Sequence, residues 1–238
     1  MKPQIVVSDI QQGRHNADLN GATDRLVRGN TYKNLSTVIV VPTRGLIAAK
    51  VVQNWMGLMT PMNQKAIRIF VENMEVADAY NSAIDMILAH PELSKWKYVL
   101  TLEEDNMPPP DGLLKLYESM DRYAAVGGLY WTKGPGGQPM CYGTPDGIVD
   151  FIPQIPQPDT VQEVNGLGMG FTLFKLDLFR QIERPWFKTQ QVFTPGAGTS
   201  AYTQDLWFFQ KVREAGHRVA CDTRVRVGHY EVESDLVW

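Results

Sequence analysis

The sequence predicts an α/β fold in which a mostly parallel central sheet is flanked by helices, with a smaller antiparallel region in its second half. Three observations carry this reading. Residues 37–41, Thr-Val-Ile-Val-Val, form a continuous β-branched run of the kind found in strands buried on both faces. Strand-like and helix-like segments alternate three times between residues 37 and 120. Beyond residue 126 the chain turns to short apolar runs separated by dense Gly and Pro.

Residues 1–36 are polar and without periodicity, an N-terminal arm in which Ile5-Val6-Val7 adds at most one short strand. The strand over 37–41 stops at Pro42, and Ile47, Val51, Trp55 and Leu58 then follow the spacing of one helix face. A second strand is expected over 66–71 and a second helix through Val76, Tyr80, Ile84 and Ile87, ended by His90-Pro91. A third strand over 98–102 leads into the acidic turn Glu103-Glu104-Asp105-Asn106, three prolines, and a helix over 111–120. Residues 126–130 read as a strand and 131–142 as a hairpin or a loop between short strands, centred on Gly134-Pro135-Gly136-Gly137. Short strands over 161–164 and 171–174 flank the Gly-rich 165–170, and 189–202 reads as a loop, a candidate mobile segment. A helix over 204–215 ends at Gly216, and strands over 219–221 and 226–230 follow. We expect one domain over 37–238, in two parts, 37–125 and 126–238.

Composition excludes several function classes. The 238 residues are 44% hydrophobic and 21% charged, which fits a folded domain rather than a disordered or low-complexity chain. The net charge of −3 and the scattered Lys and Arg argue against binding duplex nucleic acid. No apolar run approaches the length of a membrane span, so a cytoplasmic protein is expected. Cys141 and Cys221 read as reduced thiols.

Ligands of such sheets bind at the carboxyl ends of the strands, so the turns after Val41, Val71 and Leu102 are the places to look. Glu103, Glu104 and Asp105 crowd three acids onto the last of these, and a divalent cation with oxygen ligands would relieve their repulsion. A solvated acidic turn remains open on local grounds. Asp205 at a helix start is favoured by the helix dipole alone, and a late His229 by itself is as compatible with a structural role. The segment 166–170 matches no phosphate-binding loop; a tight turn and a close approach to a sugar are both open. Among Trp131, Trp186 and Trp207, one is expected to stack on a ligand and the others to be core.

Pro42-Thr43-Arg44 after the first strand, Glu103-Glu104-Asp105 after the third, Gly166-Leu167-Gly168-Met169-Gly170, Thr203-Gln204-Asp205 opening a helix, and the late Gly228-His229 occur in the order found in glycosyltransferases of the GT-A fold. The resemblance covers about residues 37–230 and is nearest to family-2-like, metal-dependent enzymes that use nucleotide-sugars. It implies a donor such as a UDP- or GDP-sugar, a hydroxyl acceptor and Mn²⁺ or Mg²⁺, with residues 37–125 the nucleotide-binding part and 126–238 the acceptor and metal part. Glu103-x-Asp105 stands where the family has Asp-x-Asp, so the resemblance implies Asp105 and His229 as metal ligands, with Glu103 a lesser one or facing the ribose. It implies donor binding by Pro42, Thr43, Arg44, Glu72, Asn81, Glu103, Glu104, Gly168, Met169 and Gln204. Asp205 corresponds to the base of inverting members, and Gln204 departs from the family's Glu. A helix N-terminus and a nearby cation are expected to depress the Asp205 pKa. Retaining transfer, and a non-catalytic nucleotide-sugar or glycan-binding module, are the alternatives. The oligomeric state is left open.

Overall fold

The computed structural model describes Arg28 and residues 34–62, 64–146, 149–194 and 198–238, so the arm, including Ile5–Val7, lies almost wholly outside the described residues. Five strands come from the first part of the chain: β1 Thr37–Thr43, β2 Ala66–Glu72, β3 Tyr98–Leu102, the two-residue β4 Asn106–Met107, and β5 Ala125–Leu129. They alternate with helices α1 Ala49–Met56, α2 Val76–Ala89 and α3 Gly112–Tyr117. The second part supplies β6 Cys141–Tyr142, β7 Val161–Val164, β8 Gly166–Leu167, β9 Phe171–Lys175, the short α4 Leu178–Gln181, β10 Gln190–Thr194, β11 Gly198–Tyr202, α5 Gln204–Glu214, β12 Val219–Arg226, β13 Gly228–Glu231 and β14 Leu236–Val237.

Seven strands form one sheet in the order β2-β1-β3-β9-β5-β12-β7. β1 runs parallel to β2 and β3, and β12 parallel to β5, while β9 is antiparallel to both β3 and β5 and β7 is antiparallel to β12. Five strands therefore share one direction, which is the predicted mostly parallel sheet. A small antiparallel sheet, β14-β13-β4, stands beside it.

The alternation of a pleated strand explains the layering. Val38 and Val40 join a core on one face with Tyr80, Ile84 and Ile87 of α2 and Phe208 and Phe209 of α5. Ile39 and Val41 join the core on the other face with Trp55 of α1 and Leu113 and Leu116 of α3. β1 is buried along its whole length, as its unbroken apolar run requires, whereas the edge strand β2 leaves Ile67 and Phe70 half exposed.

The structure departs from the expected elements in four places. Residues 189–202, expected as a loop, pair as the β10–β11 hairpin. The expected helix over 111–120 is six residues long, with Ser119 and Met120 continuing in hydrogen-bonded turns. The strand expected over 226–230 breaks at Val227, so that β13 leaves the main sheet and pairs with β4. Gly166–Leu167 is itself a strand, paired with β6. Gly216 ends α5 with φ 80°, as expected of a C′ glycine. Cys141 and Cys221 are free and buried. Among the described residues no helix is long and apolar enough to cross a membrane.

Candidate active site

The carboxyl ends of β1 and β3 open onto a cleft of about 240 Å³ lined by Pro42, Thr43, Arg44, Met74, Val76, Glu103, Glu104 and Asp105. Its first wall is tied across the two strand ends by Glu104. That carboxylate accepts hydrogen bonds from the Thr43 hydroxyl at 2.7 Å, the Arg44 amide at 2.9 Å and the Arg44 Nε at 2.5 Å. Burial pushes the Glu104 carboxyl up, but these three donors outweigh it and hold the group below the usual carboxylate range. The Arg44 side chain is 85% exposed, so the value of this pair is in orienting the loop more than in stability.

Asp105 is brought to His229 by β4 and β13. Asn106 pairs with His229 and Met107 with Gly228, and the Tyr230 amide donates to the Asp105 carbonyl at 2.7 Å. The backbone thus sets His229 Nε2 at 3.4 Å from Asp105 Oδ2. The other ring nitrogen, Nδ1, lies 2.8 Å from the Trp131 carbonyl, which can only accept, so Nδ1 donates there and Nε2 is left facing Asp105. Lys133 Nζ also reaches Asp105 Oδ2, at 2.5 Å. Burial raises the Asp105 carboxyl, but the hydrogen bonds of His229 and Lys133 prevail and hold it down at about 2. Among the described residues no group of three or more His, Cys, Asp or Glu side chains is gathered for a metal; Asp105 and His229 are a pair.

Glu103, which lines the same cleft, accepts the Tyr80 hydroxyl at 3.2 Å. Its carboxyl is pushed up to about 8, first by burial and then by the charges of Asp105 and Asp205. Asp205, 4% exposed at the start of α5, accepts the Leu206 amide at 2.9 Å. Burial raises its pKa and outweighs the hydrogen bonds from Thr203 and the helix amides, the reverse of the depression expected from a helix N-terminus. The buried Tyr130 stands between these groups: its hydroxyl accepts the Gly170 amide at 2.9 Å, and its ring meets that of His229 edge-on at 5.5 Å.

The remaining candidates fall in three groups. Glu72, at the exposed end of β2, lies in register with Thr43, and Gln204 is half-buried beside Asp205. Asn81 faces the 186–187 segment: its Oδ1 accepts the Trp186 and Phe187 amides and its Nδ2 donates to the Phe187 carbonyl, so the side chain clamps that segment. Met169 is buried in the core, and a Cβ on Gly168 would lie 2.1 Å from the Tyr130 hydroxyl, so the glycine makes room for Tyr130. Gly170 likewise admits the side chain of the buried Asn106. Trp186 is core, with Nε1 donating to the Phe179 carbonyl at 2.9 Å, Trp207 packs under the Lys188 ammonium, and Trp131 borders the site through its carbonyl. Lys133 and Tyr130 were not singled out by the sequence, because neither is near the acidic turn until the 131–142 hairpin and β13 fold over it.

No family model matches the chain, and no curated protein matches it by sequence. Among solved structures it is similar to A197 from STIV, with TM-score 0.59 and 21% identity over 85% of this chain and 92% of that one. That likeness is one of fold. It also aligns with the catalytic domain of Drosophila β1,4-galactosyltransferase 7 in complex with xylobiose (TM-score 0.44, 16% identity, 79% of this chain and 64% of that one). A further alignment is with residues 1–349 of S. aureus TarS in complex with UDP-GlcNAc (TM-score 0.44, 12% identity, 81% and 58%).

Proposed function

We propose that the chain is a metal-dependent glycosyltransferase that moves a sugar from a nucleotide diphosphate donor, UDP- or GDP-linked, to an acceptor hydroxyl with inversion. The observation that supports this reading is the Asp105–His229 pair. A carboxylate oxygen and an imidazole nitrogen come together at the rim of a cleft where β1 and β3 end, and that oxygen already attracts a cation, the Lys133 ammonium. The carboxylate suits Mn²⁺ and Mg²⁺ alike and the imidazole favours Mn²⁺ of the two; oxygen atoms of phosphate and water would fill the ion's other positions. When bound there, the ion supplies counter-charge to the departing diphosphate. Glu103, held by Tyr80, is left out of this ligand set.

Thr43 and Arg44 border the nucleotide side of the cleft, fixed by Glu104. Asp205 takes the proton of the acceptor hydroxyl as that oxygen bonds to the anomeric carbon and the bond from the carbon to the diphosphate oxygen breaks. Its raised pKa favours this, since a base works best when its pKa is not far below the working pH.

The test is nucleotide diphosphate release from a panel of nucleotide-sugars with and without acceptor sugars. We expect Mn²⁺ to support it and EDTA to abolish it. Asp105→Ala and His229→Ala should each lower metal affinity or turnover by about 10–100-fold, and Asp205→Asn should lower kcat by about 10²–10⁴-fold. Undiminished turnover in EDTA would sink the metal, and full activity of Asp205→Asn would remove the base. Donor binding without turnover on any acceptor would favour a binding module.

A further inference from the structure

Lys133 has no task in the reaction as so far described, yet it makes a direct contact with the proposed metal ligand. Its Nζ is 2.5 Å from the same Asp105 oxygen that His229 Nε2 faces at 3.4 Å. An ammonium at that distance and a divalent ion bound to the same carboxylate repel each other and compete for its charge. Entry of the ion therefore loosens the hold of Asp105 on the ammonium.

The surroundings provide for the displacement. Lys133 opens the tip of the 131–142 hairpin, whose base is tied by the Thr132 amide on the Gln138 carbonyl at 2.9 Å and by the Trp131–Pro139 bridge. Gly134 and Gly136 in the tip adopt φ 97° and 80°, and a Cβ at either would touch nothing within 4 Å, so the tip is not packed on the domain. The Lys133 side chain is 29% exposed, and a flexible four-carbon stem can re-aim its ammonium without moving the hairpin base. The other cation at the cleft, Arg44, is bound to Glu104. Lys133 is the cation whose carboxylate partner is lost when the ion enters.

We propose that Lys133 and the divalent cation exchange places on Asp105: the ammonium closes the carboxylate in the empty cleft, and on cation entry it is released to the diphosphate of the donor. This rests on the metal-dependent reading above and adds to it a coupling of metal and donor. The released charge strengthens donor binding only when the ion is present, so by reciprocity the donor strengthens ion binding by the same factor.

The experiment is Mn²⁺ binding to metal-stripped protein, followed by the electron paramagnetic resonance of free Mn²⁺, without nucleotide and with UDP or GDP. Lys133→Met should bind Mn²⁺ about tenfold more tightly than wild type without nucleotide, and the gain in Mn²⁺ affinity on adding nucleotide should shrink by about tenfold. Lys133→Arg, which keeps the charge, should stay near wild type in both. Unchanged Mn²⁺ affinity in Lys133→Met overturns the exchange, and so does an undiminished nucleotide effect. Asp105→Ala separates the two levels: if it binds Mn²⁺ as wild type does, the metal assignment itself falls and the exchange with it. If it loses Mn²⁺ while Lys133→Met is unchanged, the exchange alone falls.

Discussion

The fold resists the ionisation of Glu103. Its carboxyl is pushed up to about 8 from an ordinary value of 4.5, so in metal-free protein the folded state keeps a proton that the unfolded chain has lost. Between those pH values the folded state binds more protons, and stability falls as pH rises from about 4.5 to 8, by an amount on the order of a few kcal/mol. Asp105 acts the other way and in another window. Its carboxyl, held at about 2, stabilises the fold above about pH 4, and that contribution is lost on acidification. Urea melts in EDTA across this range should show the decline, and Glu103→Gln should flatten it; an equal slope in the variant would reject Glu103 as its source. Asn81 gives a second test at this scale. Asn81→Ala removes the acceptor of two backbone amides and should cost about 1–3 kcal/mol in stability while leaving nucleotide affinity unchanged. A selective loss of nucleotide binding would instead support a donor-binding role for it. Charged residues at strand ends were legible in the sequence because Glu104, Asp105 and Asp205 sit where an α/β sheet opens. Asn81 and Gly168 were not, since the backbone amides and the tyrosine ring they serve come from distant parts of the chain.

At the scale of elements, the short β4–β13 pairing positions the candidate site. Gly228 lies directly before His229, and a Cβ there would fall 2.6 Å from Val237 Cγ1 of β14. Gly228→Val should therefore push β13 off β14, costing about 1–3 kcal/mol, and should weaken Mn²⁺ binding through the displaced His229. Wild-type Mn²⁺ affinity in a folded Gly228→Val protein would show that this clasp does not set the pair. The long elements were legible because their periodicity is their own: β1, α2 and α5 each carry a burial pattern within one segment. Two-residue strands such as β4 and β8 carry no such pattern. The β10–β11 hairpin was missed for a related reason, since its polar residues 189–202 give neither alternation nor a helical stripe.

At the scale of the molecule, the two cores on either face of the sheet depend on residues far apart in sequence. Phe208 of α5 meets Phe187 at a ring separation of 4.7 Å and also packs on Phe174 and Phe179. Phe208→Ala should cost about 3–5 kcal/mol, read as a shift in denaturant midpoint, and a cost below about 1 kcal/mol would mean that the cluster closes over the gap. The sheet order carries a consequence of another kind. β9 lies between β3 and β5 and pairs with both, although it is made after them. While the chain is being synthesised, β3 and β5 each present a row of unpaired amides and carbonyls until residues 171–175 leave the ribosome, and open strand edges of this kind invite pairing with other chains. Translation that stops near residue 125 should therefore yield an aggregating product rather than a soluble nucleotide-binding fragment, and a chaperone that shields strand edges should matter most during the interval between β5 and β9.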